Sequence, residues 1–393
     1  MAGLRAALIL FVVAGSSGIL FRHAAAFQQA FSLSLAFVRH AHSHLMYMGW
    51  GTPALAALLL ASAAERGGAD ARPALRLGRW ALWASVVLAA LAFPSFLFFG
   101  YTPLLLGQAR LPLSAMLGGV AMLAWYGVAV AWLRAARGTR RDVARTAWDA
   151  ALATLAFSTV GAWMQASSAI QPLNPVLHQA SLHLFLDLFG GGWFVFGALA
   201  LAFEAAPELD RPGVRRALLG AAATVPFTFL LAVPGDMMSG TGALLRHGAA
   251  GAAGLCLLYL AQAILRSRAA RAAGFIAPGV MLVLHAGSLV AATSPALLDA
   301  GVQAGLRVLY LHVTFLGVLT LSVLAAAEAR WGLRGRRAMT AVVVLLIATL
   351  VPLTWLWPEA WGGAWRFPAA EAGALGPVVV ALYALIRGFG RPA

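Results

Sequence analysis

Stretches of about 20 apolar residues recur along the whole chain, parted by short polar connections. They fall at roughly 4–21, 41–63, 80–100, 111–133, 147–167, 181–204, 213–234, 242–265, 274–293, 305–328, 338–357 and 372–388. As a helix, each run is long enough to cross about 30 Å of hydrocarbon with its backbone hydrogen bonds satisfied internally. The pattern predicts an all-α, polytopic membrane helix bundle of about twelve transmembrane helices. No connection is long enough to hold a soluble domain, so residues 1–393 read as a single transmembrane domain. The first run follows Arg5 in the manner of a signal peptide. It stays apolar through Phe21 without a convincing cleavage motif, and so reads as a span. Pro53, Pro94, Pro226, Pro278 and Pro352 lie within or at the ends of spans, where kinks are tolerated against protein.

Composition agrees. The chain is 62% hydrophobic and 10% charged, with a mean hydropathy of +0.84, which no soluble domain of this size shows. The net charge of +15 suggests nucleic acid until the charges are placed. All 28 basic residues are arginine. With the N-terminus set on the cytoplasmic side, 22 of them share that side. They are Arg5, the groups within Arg66–Arg79, Arg134–Arg145, Arg211–Arg216, Arg266–Arg271 and Arg330–Arg337, and Arg387 and Arg391. Arg22, Arg39, Arg110, Arg246, Arg307 and Arg366 fall on the other side. That asymmetry is the positive-inside pattern, and a wrong span count would scramble it. It predicts a multi-pass protein of a bacterial inner membrane with both termini cytoplasmic. Its environment is the lipid bilayer, with no nucleic-acid partner. The stretch Trp357–Pro368 reads as an aromatic anchor at the membrane interface. The lone Cys256 excludes disulfides, a zinc framework and covalent haem attachment.

Chemistry enters with the histidines. His40, His42 and His44 open the second span, His178 and His183 flank the start of the sixth, His247 opens the eighth and His312 lies early in the tenth. His285 occupies the second half of the ninth, which runs the opposite way, so eight of nine share one outer layer. The ninth, His23, falls in the outer connection after span one. Intramembrane histidine is costly and marks a functional site, and imidazole is the commonest ligand of haem iron, copper and zinc. Taken singly, His247 and His285 read as hydrogen-bonded packing residues. The triple run is harder to explain that way. His40 and His44 share a helix face, whereas His42 is turned roughly 200° from His40, so the three cannot ligate one centre.

Arg39-His40-Ala41-His42-Ser43 resembles the start of the second helix of haem-copper oxidase subunit I, in the cbb3-type oxidase and nitric oxide reductase branch. There an Arg, two residues, then a His with a small hydroxyl residue after it supply the first axial ligand of a low-spin haem. His42 holds the matching position. In the tenth span, Tyr310-Leu311-His312-Val313-Thr314-Phe315-Leu316-Gly317 is similar to the family's His-x-His with Gly five residues on. His312 matches the second His, and Tyr310 stands where the high-spin haem ligand belongs. Leu182-His183…Gly192-Trp193-Phe194 and His42-Ser43-His44…Gly49-Trp50 look like a divergent bacterial branch of oxidase-subunit-I-like membrane proteins. His183 could match the family's copper ligand in the sixth helix. The adjacent His-His pair that completes the copper site is absent, and span seven has no histidine. Asp187, one turn after His183, is the only carboxylate well inside a span.

The resemblance implies a b-type cytochrome in which haem b is held by His42 and His312, with Arg39 and Arg307 near its propionates. Each arginine reads equally well as an interfacial residue reaching for water. A second centre could hold copper or another metal ion through His183 with His178, His44, His285 or His247, with Asp187 orienting His183. The implied electron donor is a cytochrome or a quinol. Without the His pair and the relay carboxylates, pumped dioxygen reduction is not expected, and whether the chain is an oxidoreductase stays open. Two other readings remain: a copper or haem permease built on the outer His cluster, and a non-catalytic sensor of haem or nitric oxide.

Overall fold

A computed structural model describes residues 1–27, 33–168, 172–238 and 240–388; Arg391, one of the arginines counted above, lies outside the described residues. Among the described residues the regular structure is helical apart from a hairpin, Leu104–Leu106 paired antiparallel with Ala109–Leu111, that turns through Gly107. In chain order the long helices are α1 (Ala2–Phe27), α2 (Leu35–Gly67), α3 (Arg72–Phe99), α4 (Leu113–Ala135), α5 (Val143–Ser167) and α6 (Pro175–Ala205). They continue as α7 (Pro212–Ala232), α8 (Thr241–Arg266), α9 (Ile276–Ala291), α10 (Leu306–Trp331), α11 (Arg336–Leu353) and α12 (Arg366–Gly388).

Ten of these are long and apolar enough to cross a membrane, and α9 with the short helix Pro295–Gln303 makes an eleventh if that bent pair is one span. The fifth apolar run lies on α5, which carries Arg145 and Asp149 near its start and Gln165 near its end, and so is less apolar than the rest. The ninth lies on α9, whose 16 residues extend about 24 Å, short of the hydrocarbon thickness, before a 117° bend. His23 belongs to the last turns of α1 rather than to the connection after it, because α1 runs on to Phe27.

The prolines act locally. Pro226 ends the α-helical part of α7, which finishes as a 3-10 segment from Val225 to Ala232, and Pro352 does the same to α11 at Val351–Leu353. Pro94 is carried inside α3.

Contacts sort the chain into two compact units, residues 1–139 with 327–393, and residues 140–326, so that α10 crosses the boundary. In the first unit α1 packs on α2 and α12, α3 on α4, and α11 on α12. In the second α5 packs on α6, α7 on α8, and α9 on α8 and α10. Glycine lets helices approach closely: a Cβ on Gly161 of α5 would stand 2.3 Å from the Ser181 carbonyl oxygen of α6.

Three helices are interior ones. The most apolar stretches of α2, α6 and α10 are 89%, 78% and 72% buried, against 28–50% for the other seven of the ten candidate spans. Helices apolar all round belong inside a bundle, whereas the exposed Val87, Leu91 and Phe98 of α3 suit contact with lipid. Each interior helix also carries a π-helical segment: Leu45–Gly51 in α2, Phe189–Phe194 in α6 and Val313–Thr320 in α10. A π turn shifts the hydrogen-bond ladder by one residue, a local cost that recurs at functional sites.

Candidate functional site

The π segments of the three interior helices each follow a histidine, whereas a fourth, Ala384–Gly388 at the end of α12, does not. Leu45 comes directly after His44, Val313 directly after His312, and Phe189 six residues after His183. What each imidazole can do depends on its two nitrogens, because the neutral ring has one donor and one acceptor.

In the first unit His42 turns toward α1. Its Nδ1 lies 2.7 Å from the Ala14 carbonyl oxygen, and a carbonyl can only accept, so Nδ1 carries the proton and Nε2 keeps its lone pair. Gly18, one turn further along α1, makes room for the ring: a Cβ there would stand 2.7 Å from His42 Cε1. His40 and His44 turn elsewhere, as their spacing predicts. His44 Nδ1 donates to the His40 carbonyl oxygen at 2.8 Å, and its Nε2 accepts from the Tyr101 hydroxyl at 2.9 Å. The His44 ring stacks on Phe96 at 3.8 Å, and the His40 ring meets Tyr101 edge-on at 5.1 Å. His23 is paired with Glu371 at 2.8 Å. Arg39 is exposed.

In the second unit Asp187 is the hub. One carboxylate oxygen accepts from His183 Nδ1 at 2.7 Å, and the other accepts from Arg307 at 2.8 Å. The i,i+4 spacing on α6 brings the first pair together, and Arg307 comes from the start of α10. The arginine assigned by resemblance to a propionate therefore has a carboxylate partner in the chain. This carboxylate–imidazole pair is the arrangement that orients metal-ligating histidines, with Nε2 as the ligating atom. His312 Nδ1 donates to the Val308 carbonyl oxygen at 2.7 Å, which assigns its tautomer as at His42.

His285 and His247 are satisfied differently. His285 is 1% exposed, and its Nδ1 meets Thr314 Oγ1 at 2.8 Å. The threonine proton is already given to the Tyr310 carbonyl at 2.9 Å, so His285 must donate. Its ring stacks on Tyr310 with centroids 5.2 Å apart. His247 donates from Nδ1 to the Ala292 carbonyl oxygen at 2.8 Å and accepts at Nε2 from the buried Arg246 at 3.0 Å. A cation bonded to the ligating nitrogen disfavours a metal there, so His247 reads as a packing histidine.

Of the four residues assigned to a metal, His44 lies in the first unit, and His183, His285 and His247 in the second. Among the described residues no three His, Cys, Asp or Glu side chains form a group that could hold a metal ion. A small apolar cavity lined by Ala198, Leu199, Ile264, Phe275, Leu282 and Ser322 contains none of the histidines.

Tyr101, Thr314, Glu371 and Glu204 are among the polar residues that sequence reasoning missed; Glu371 pairs with His23. Tyr101 and Thr314 bond to histidines, and Glu204 accepts from the buried Trp148 indole at 2.8 Å. No spacing rule links Tyr101 to His44, 57 positions away. Compared with models of protein families and with curated proteins, the chain matches none of them.

Proposed function

We propose that the chain is a haem-binding membrane cytochrome related to haem-copper oxidase subunit I, with His42 and His312 as axial ligands of haem b. The observation that carries this reading is the state of His42. An imidazole whose Nδ1–H is pinned to a backbone carbonyl, on a ring seated over a glycine, presents a lone pair at Nε2, as an axial ligand must. The Nδ1 of His312 likewise donates to a backbone carbonyl, that of Val308. Each ring, taken by itself, has the tautomer that ligation through Nε2 needs.

Two imidazoles leave no open position on the iron, so the bound haem would pass electrons rather than bind a substrate. The chain's own contribution is to fix both rings in one tautomer. The protein would sit in a bacterial inner membrane with about twelve spans and cytoplasmic termini, taking electrons from a cytochrome or a quinol. At the second centre His183, oriented by Asp187, is the residue best prepared to hold a metal. Tyr310 in place of a high-spin haem ligand, and the missing His-His pair, argue against dioxygen reduction.

The test is the reduced-minus-oxidised optical spectrum of the purified protein beside His42→Ala and His312→Ala. Sharp low-spin haem bands in the parent, lost in both variants, are the expected result. A chain that purifies without haem after expression with haem supplied would overturn the reading.

A further inference from the structure

The cluster at the start of α2 belongs to neither the His42 nor the His183 site. Its geometry begins with Gly100, whose φ of +56° turns the chain after α3 and brings Tyr101 back toward α2. The turn packs so closely that a Cβ on Gly100 would stand 2.5 Å from the Phe37 ring of α2. Tyr101 is thereby set beside His40 and His44, which share one face of α2 four residues apart.

We propose that His40, His44 and Tyr101 form a copper(II) site, independent of the haem reading. His44 is already in the ligating tautomer, its Nδ1–H held by the His40 carbonyl and its Nε2 aimed at the phenol. The Nε2 to phenol oxygen distance is 2.9 Å. Two donors each about 2.0 Å from one metal and about 90° apart stand about 2.8–2.9 Å from each other, so a square-planar ion fits that pair with little movement. The His40 and His44 ring centroids are 6.5 Å apart. Imidazoles on opposite sides of one ion, with nitrogens about 2.0 Å from it, have centroids about 6.4 Å apart, close to the spacing of this pair.

Two imidazoles and a phenolate favour copper(II) among divalent first-row ions, by donor type and by affinity order. The contrast with His247 is instructive. There Nε2 faces a permanent cation, whereas at His44 it faces an ionisable hydroxyl that is itself a ligand. Without metal the Tyr101 hydroxyl is hydrogen-bonded to His44. On binding, copper takes the place of the phenol proton. One Cu–O and two Cu–N bonds form, the O–H bond breaks, one proton goes to water, and no electron is transferred.

The test is a copper(II) titration of the purified full-length protein in detergent, beside Tyr101→Phe and His44→Gln. The expected result is one copper per chain with a visible phenolate-to-copper charge-transfer band. Tyr101→Phe, which keeps the ring packing, should abolish the band and weaken binding at least tenfold, and His44→Gln should weaken it at least as much. Absence of binding would overturn the proposal. So would copper bound without the band, or affinity and spectrum unchanged in either variant. Haem content is read separately from the optical spectrum of the same samples, so failure of the cytochrome reading leaves this result interpretable.

Discussion

At His42 one ring edge is held by Ala14 and one ring face lies over Gly18, so the imidazole has little freedom. Gly18→Ala tests that fit. The new Cβ would stand 2.7 Å from Cε1 and 2.8 Å from Nδ1, closer than real carbons approach, and the ring must tilt off the Ala14 carbonyl. The expected outcome is a loss of about 1–3 kcal/mol of stability from overpacking. It should appear as a lower midpoint of thermal unfolding, with loss or shift of any haem bands. Part of the histidine chemistry was legible at this scale. The opposed faces of His42 and the His40/His44 pair follow from helix geometry alone, as does the contact of His183 with Asp187 one turn on. The partners Ala14, Tyr101, Thr314 and Arg307 were not legible. They arrive from other helices or turns, and single-chain spacing says nothing about which helix a side chain meets.

The interior helices pair histidines with π segments, and in α6 that segment holds Gly190-Gly191-Gly192. The two later glycines face different surroundings. A Cβ on Gly191 meets nothing within 4 Å, whereas one on Gly192 would stand 2.6 Å from Thr154 Cβ on α5. Gly191→Ala is therefore expected to be neutral or to stabilise by up to about 1 kcal/mol, through lost unfolded-state freedom. Gly192→Ala is expected to destabilise by about 1–3 kcal/mol. Paired thermal melts of the two variants check this, and equal shifts would contradict it. Hydrophobic runs located the elements well, because lipid imposes length and apolarity on anything that spans it. The same rule was too coarse for α5 and α9, where charges near one end and a sharp bend break the simple run. It also gave no hint of the π segments, since a one-residue shift in the ladder leaves no mark on hydropathy.

At the scale of the molecule, the arginine-rich connections are tied by few carboxylates. Asp210 accepts from Arg140 and Arg215, each at 2.8 Å, and from the Val143 amide at 3.2 Å at the start of α5. The Arg215 hydrogen bond, more than any other contact, holds the Asp210 carboxyl below its usual value of 3.8. A lowered native value means that the stabilisation is fully present above pH 3.8 and fades as pH falls through the native value. The thermal midpoint should therefore hold steady from neutral pH to about pH 5 and drop below about pH 4. Asp210→Asn should lower it at neutral pH and flatten the acid drop; an unchanged acid profile in that variant would contradict the assignment. The membrane class was fully legible from composition and run length. The division into two units was not, because it depends on which helices touch. That division bears on biosynthesis. Residues 140–326 are one unbroken stretch of chain, while the other unit is made of two pieces far apart in sequence, the second entered through α10. A ribosome working from the N-terminus delivers α1 to α4 first, yet α1 stays without its partner α12 until the rest of the chain has been translated. The unit begun first is thus the last to be completed.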